Sequence, residues 1–296
     1  MLKINKINFL SNSHLSKGNW GEISRILKDN FNNNRSNIFC HEWLDYDIKK
    51  RLIFEKWIGF LHNPITYPSD YPMKYFDKTL PISKLIKDDY FIEKLQSCMG
   101  ILVFTNQIKQ FMSNSLNFNK IYFIHHPILN YNYNWKTDTY LLHVGQQLRK
   151  YHSFLEINTN KKKIILKPQD CPEDMSEMKF YSKKQARELD YLEKDKYLKI
   201  MCNSIVFLDL YDVAACNTIN ECISLNVPIV IKKLPGSLEY LGENYPLYFD
   251  TLDEAESKIK DANLIIASHL YLKNMDKKKL SISHFLREFN FFINNL

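Results

Sequence analysis

The sequence lacks the features of a membrane-spanning chain or a disulfide scaffold. No uncharged apolar run reaches the roughly 18 residues a bilayer span needs, so no membrane span is expected. The first ten residues, Met1 to Leu10, alternate like a strand and have no apolar core of a signal peptide. Six cysteines stand at 40, 98, 171, 202, 216 and 222, with no CxxC spacing and no Cys/His zinc pattern. In a chain of 296 residues they read as reduced core thiols of a cytoplasmic protein. No nucleic-acid motif accompanies the formal charge of +7, so no nucleic-acid partner is expected. The charge reads either as a basic solvated surface or as a basic cleft for phosphate-bearing ligands. Glycine is scarce, at seven, while Lys, Asn, Ile, Tyr and Phe abound. Codon usage in an AT-rich genome gives this bias as readily as selection does, so a lysine is not functional merely by being there. There is no internal repeat and no long low-complexity tract.

What is present is core material in an alternating pattern. An apolar content of 45% and an aromatic content of 14% exclude a disordered chain. Strands are predicted over Ile4–Leu10, Ile38–Cys40, Gly100–Phe104 and Ile121–Ile124, and Trp57–Leu61 is a compact apolar run ending before His62-Asn63-Pro64. Helices are predicted over Trp20–Leu27, Phe91–Gln96 and Gln107–Met112, the last capped by Thr105. After a polar stretch at 130–139, strands are predicted over Tyr140–Val144, Lys163–Leu166, Ile205–Leu208 and Pro228–Ile231. Helices are predicted over Lys183–Met201, Asn217–Ser224, Leu252–Ala262, Asn263–Leu272 and Ser281–Asn294. Strands alternating with helices imply parallel sheets and an α/β fold. Two lobes are expected, at 1–135 and 136–280, with the helix over 281–296 crossing back to the first.

In open α/β sheets, ligands bind beyond the carboxyl ends of the strands. Gly145 closes the strand ending at Val144, and Arg149 and Lys150 follow. They are either exposed basic residues or a pair that neutralises a diphosphate, Arg forking two oxygens. Beyond Leu208, Asn217 and Thr218 sit where a helix begins, and free N–H groups there favour phosphate. Glu221, one turn on, either accepts two ribose hydroxyls or completes a capping pair with Asn217. Asp209-Leu210-Tyr211-Asp212 has the wrong spacing for a DxD metal motif, so no metal site is expected.

These residues carry a resemblance. Ser204–Leu208, Asn217–Ile223 and Asn226–Val230, extended by Leu234-Pro235 and Glu239–Phe249, resemble the donor segment of GT-B glycosyltransferases. The final string is similar to glycosyltransferase-like proteins of large DNA viruses and some bacteria. Val144-Gly145 with Arg149-Lys150, Trp57–His62, Gly100–Thr105 and Tyr122–Pro127 resemble further segments of that family. The resemblance implies two Rossmann-like lobes facing each other across a cleft. It implies that Gly145, Arg149, Lys150, Asn217, Thr218 and Glu221 bind a nucleotide-sugar, UDP- or GDP-linked. His62 would approach the transferred sugar or the acceptor. Many retaining members have a first Glu where Val213 stands, with Asp212 one residue off as a substitute.

The function implied is metal-independent sugar transfer from a nucleotide-diphosphate sugar to a glycan, glycoprotein or other hydroxyl acceptor, with no cofactor beyond the donor. The chemistry requires stabilisation of charge on the departing diphosphate, which Arg149, Lys150 and the helix start near Asn217 can supply. An inverting enzyme also needs a base, for which His14, His41, Glu42, Asp45 and His62 are candidates. His125 and His126 read as packing or hinge residues. A sugar-nucleotide epimerase or hydrolase on the same scaffold, or a non-catalytic carbohydrate-binding protein, are the alternatives.

Overall fold

The structure, a computed structural model, describes residues 7–10, 18–68, 80–145, 147–166 and 186–296. The chain divides into two compact units, one of residues 1–128 and 277–296 and one of residues 129–276.

The first unit is built on a parallel sheet whose strands follow one another in chain order. They are β1 (Asn8–Phe9), β2 (Phe39–His41), β3 (Trp57–Leu61), β4 (Cys98–Val103) and β5 (Ile121–Phe123). The helices between them are α1 (Gly18–Phe31), α2 (Leu44–Lys49), α3 (Ile82–Leu85), α4 (Asp89–Lys94) and α5 (Asn106–Ser115). The Thr105 side chain caps α5, accepting from the Ile108 N–H at 3.2 Å. Every residue of β3 is buried, as expected of a central parallel strand covered on both faces. The final helix returns to this unit. Its apolar stripe of Phe285, Phe289, Phe292 and Ile293 is buried. The Phe289 ring meets Phe60, Phe31 and Phe9 at centroid distances of 5.7, 5.2 and 6.4 Å. Each such side chain contributes about 1.5–3 kcal/mol of burial. Gly100 on β4 is required by this packing, because a Cβ there would stand 2.7 Å from the Phe292 ring.

The second unit has a six-stranded parallel sheet: β6 (Tyr140–Val144), β7 (Lys162–Leu166), β8 (Arg187–Leu189), β9 (Ser204–Leu208), β10 (Ile229–Lys232) and β11 (Tyr248–Phe249). Its spatial order is β11-β10-β9-β6-β7-β8. Read from the other edge this is the 3-2-1-4-5-6 winding of dinucleotide-binding folds, and it reverses direction between β6 and β9. The helices are α6 (Tyr151–Glu156), α7 (Lys194–Met201), α8 (Asn217–Leu225), α9 (Pro235–Leu241), α10 (Leu252–Lys260), α11 (Ala262–Asn274), with α12 (Ile282–Asn294) in the first unit. The polar stretch before β6 packs on this unit. The Trp135 indole donates to Ser204 O at 3.0 Å, and the Lys136 N–H to Cys202 O at 2.8 Å.

Two local expectations are corrected. The predicted helix over Lys183–Met201 is a strand, β8, followed by the shorter α7, and its first residues lie outside those described. Charge-rich composition suggests helix there, but pairing of Ile164 with Arg187 on the sheet edge draws the backbone into a strand. Asn217 is not the cap of α8. Cys216 occupies that position, with no side-chain capping bond. The early part of the first predicted strand, from Ile4, also lies outside the described residues.

Candidate functional site

The candidate site forms where the winding of the second sheet reverses. Gly145 leaves β6 with φ +83°, in the left-handed region that favours glycine. A Cβ there would lie 2.8 Å from the Arg149 guanidinium, which folds back over it. That guanidinium is fixed from several sides. Nε donates to Val144 O at 3.2 Å, Nη1 to Gln147 O, and Nη2 to Thr218 Oγ1 at 3.1 Å and Cys216 Sγ at 3.4 Å. A half-buried Arg held by neutral acceptors keeps its full positive charge at the mouth of the sheet.

Lys150 lies beside it. Its ammonium is 3.7 Å from Asp209 Oδ1 and 4.9 Å from the centre of the Tyr211 ring. Asp209, buried at the end of β9, also accepts from Ser153 Oγ at 2.7 Å. The loops after β6 and β9 are tied by the Arg149–Leu210 bridge and by the Tyr211 N–H donating to Leu148 O at 3.0 Å. The loop after β9 then enters α8. The Cys216 side chain makes no capping bond to α8, so the N-cap leaves the first N–H groups of the helix to other acceptors, and a helix start of this kind receives anions. The Asn217 Oδ1 is buried without a partner among the described residues.

Glu221 sits one turn into α8, which is buried on nearly every side. Burial pushes its carboxyl up to about 7, against the lowering effect of the Tyr197 hydroxyl, Arg149 and Lys194. Tyr197 on α7 donates to its Oε2. Asp212 lies in the loop before α8, its Oδ1 accepting from the Val213 N–H at 2.7 Å. Val213 is itself buried, and the loop presses so closely on α9 that a Cβ at Gly236 would stand 2.3 Å from Val213 O.

His62 belongs to the other unit, at the end of β3. Its ring stacks on Trp43 at 4.1 Å and meets the edge of Trp20 at 4.6 Å. Its N–H donates to Asp45 Oδ1 at 2.9 Å, and its Nε2 lies 2.9 Å from Glu42 O. Burial, helped by the charge His126 would carry, pushes the imidazole down to about 3. At neutral pH the ring is uncharged, Nε2–H donates to Glu42 O, and Nδ1 is the acceptor. Asp45 is fully buried, and burial pushes its carboxyl up to about 7. Of the other candidate bases, His41 pairs with Asp47 at 2.8 Å, and Glu42 meets Lys28 at 2.7 Å and Ser24. His14 lies outside the described residues. His126 is packed against Trp20 and Phe104.

The structure therefore gathers Gly145, Arg149, Lys150, Thr218 and Glu221 in one unit and places His62 in the other. Among the described residues, no group of three or more His, Cys, Asp or Glu could hold a metal ion. Sequence reasoning missed Tyr197 and His143. His143 is fully buried on β6 with neither ring nitrogen bonded among the described residues. Burial, and then the charge of Arg149, push it down to about 3. Tyr197 lies 24 residues from Glu221 in the chain, and the burial of His143 depends on the assembled sheet, so no local pattern reveals either.

No protein-family model and no curated protein sequence matches the chain. Solved structures do. A TarM variant from S. aureus, in complex with fondaparinux, alpha-GlcNAc-glycerol and UDP, superposes with a TM-score of 0.67 at 13% identity. That match covers 87% of this chain and 55% of TarM, so the chain spans about half the length of TarM. HepE from Anabaena in complex with UDP-glucose gives a TM-score of 0.64 at 9% identity, covering 93% of this chain and 82% of HepE. WaaB, a lipopolysaccharide outer core galactosyltransferase, gives 0.55 at 11% identity, covering 93% and 78%. The chain has the α/β GT-B fold of these proteins.

Proposed function

We propose that the chain is a glycosyltransferase that moves a sugar from a UDP-linked donor to a glycan or glycoprotein hydroxyl. The observation that carries this is the convergence of Arg149, Lys150 and the uncapped start of α8 at the reversal between β6 and β9. Two cations and a helix N-terminus meet the charge that develops on a departing diphosphate, so the leaving group is stabilised most as the sugar–oxygen bond breaks. Gly145 lets that diphosphate approach the backbone, Asn217 and Thr218 face it from α8, and Glu221 holds the ribose. The likeness to structures holding UDP or UDP-glucose supports uridine as the base. The second unit is thus the donor lobe and the first the acceptor lobe.

His62, neutral with Nδ1 as acceptor, is suited to hold a sugar hydroxyl rather than to take its proton, because a group near 3 is a weak base. Asp212 is the remaining candidate for contact with the sugar. Departure of the diphosphate through these side chains involves no metal. The string at 239–249 supports kinship with glycosyltransferase-like proteins of large DNA viruses and some bacteria. The five described cysteines, all free and buried, support action in a reducing cytoplasm.

Thermal stabilisation by UDP, GDP, CMP, dTDP and their sugars tests the reading, because a ligand of the native state raises its apparent stability. Selective stabilisation by UDP, lost in Glu221→Ala, is the expected result, and no shift at millimolar nucleotide would overturn it. The buried Val213 at the position of a retaining enzyme's first Glu favours a second reading, a binding protein without transfer. UDP binding with no UDP released from any donor in the presence of acceptors would select it.

A further inference from the structure

We propose that Tyr197 is a positioning residue that takes one oxygen of Glu221 and leaves the other for a single ribose hydroxyl. This rests on the donor-site reading. The Tyr197 hydroxyl donates to Glu221 Oε2, and it is the only hydrogen-bond partner of that carboxylate among the described residues. A phenol donor one carboxylate oxygen away from the ligand competes with a ligand hydroxyl for that oxygen. A ribose that would otherwise fork the carboxylate with both its hydroxyls is then held through Oε1 alone.

The placement follows from two helices. Glu221 projects from the second turn of α8, and Tyr197 from the first turn of α7, whose chain leads directly into β9. Glu221 is buried and Tyr197 half-buried, so the bond between them is only partly screened. The charged and titratable groups that face the carboxylate are Tyr197 and Lys194 from α7, and Arg149 from the loop after β6. Cys222 on α8 and Tyr131 from the segment before β6 complete the surroundings of the Tyr197 hydroxyl. Lys194 is held over the Tyr131 ring at 5.0 Å. Tyr197 is thus the one neutral donor bonded to a carboxylate that burial discourages from ionising. It has a second effect: by donating to the ionised form it keeps Glu221 charged at a lower pH than burial alone would allow.

Calorimetric titration of the full chain with UDP, 2′-deoxy-UDP and 3′-deoxy-UDP, in wild type and Tyr197→Phe, tests this. The wild type is expected to lose about tenfold in affinity with one deoxy analogue and less than about twofold with the other. In Tyr197→Phe the pH below which UDP affinity falls is expected to move upward, and the two analogues to weaken more nearly alike. Equal losses for both analogues in the wild type, or a pH profile unchanged in Tyr197→Phe, would overturn the proposal. A ligand-free readout separates it from the donor reading. The loss of thermal midpoint caused by Tyr197→Phe should be larger at pH 8 than at pH 5, and a loss equal at both refutes the proposal even if UDP binds. A wild type that binds no UDP yet shows that pH-dependent loss refutes the donor reading while the Tyr197–Glu221 bond stands.

Discussion

Arg149 Nη2 donates to Thr218 Oγ1 at 3.1 Å, joining the loop after β6 to the first turn of α8. The two residues are far apart in the chain, and the bond closes the point at which the sheet reverses. It aims a fixed, pre-oriented charge at the start of α8, so the proposed anion site needs little rearrangement to fill.

Arg149→Lys is therefore not conservative. A lysine ammonium cannot reach Val144 O and Thr218 together while facing a phosphate. Loss of a charge-assisted contact of about 1.5–3 kcal/mol predicts about 10–100-fold weaker UDP binding, read by calorimetry, for both Arg149→Lys and Arg149→Ala.

Gly236→Ala probes the loop from behind. The added Cβ would stand 2.3 Å from Val213 O, and backbone must move. Overpacking of this kind costs about 1–3 kcal/mol. Displacement of the loop before α8 should also weaken UDP binding by about tenfold, so denaturant unfolding and calorimetry should change together.

Asp45 gives a pH test in the other unit. Its folded carboxyl titrates near 7, above its ordinary 3.8, because it is buried. Between those values the folded state holds a proton the unfolded state has lost. The stability this lends is complete below about 4 and is lost as pH rises through about 7. Asp45→Asn keeps an acceptor for the His62 N–H and cannot ionise. It should therefore gain on the wild type by roughly 2–3 kcal/mol more at pH 8 than at pH 5. Urea unfolding at the two pH values checks this, and an equal difference at both would show that Asp45 ionises normally.

His62→Ala should lower turnover far more than affinity for UDP, because the ring and the proposed diphosphate site belong to different units. Removing the ring from between Trp43 and Trp20 should also cost about 1–3 kcal/mol of stability. Steady-state kinetics beside UDP calorimetry separates the two effects.

The central strands were readable because burial on both faces writes them as continuous apolar runs, as in Trp57–Leu61 and Ser204–Leu208. The cap at Thr105 was readable because capping is local chemistry. Several short elements were not. The helices Leu44–Lys49, Tyr151–Glu156 and Pro235–Leu241 complete too few turns to show a period, and β11 has only two residues. The strand at Arg187–Leu189 is imposed by its neighbour β7, not by its own composition. At the candidate site the same division holds. Gly145, Arg149 and Lys150 stand at a strand end and announce themselves, whereas the Tyr197–Glu221 bond and the burial of His143 exist only once the sheet has assembled.

The first unit is assembled from segments on either side of the second in the sequence, with α12 supplying Phe285, Phe289 and Phe292 to a core begun at Phe9 and Phe60. During synthesis the second unit is complete before that core can close. The nascent first unit keeps its aromatic surface open until α12 has left the ribosome, and this surface is what a chaperone or an aggregating neighbour would find. A truncation of only the final helix would make that transient state permanent.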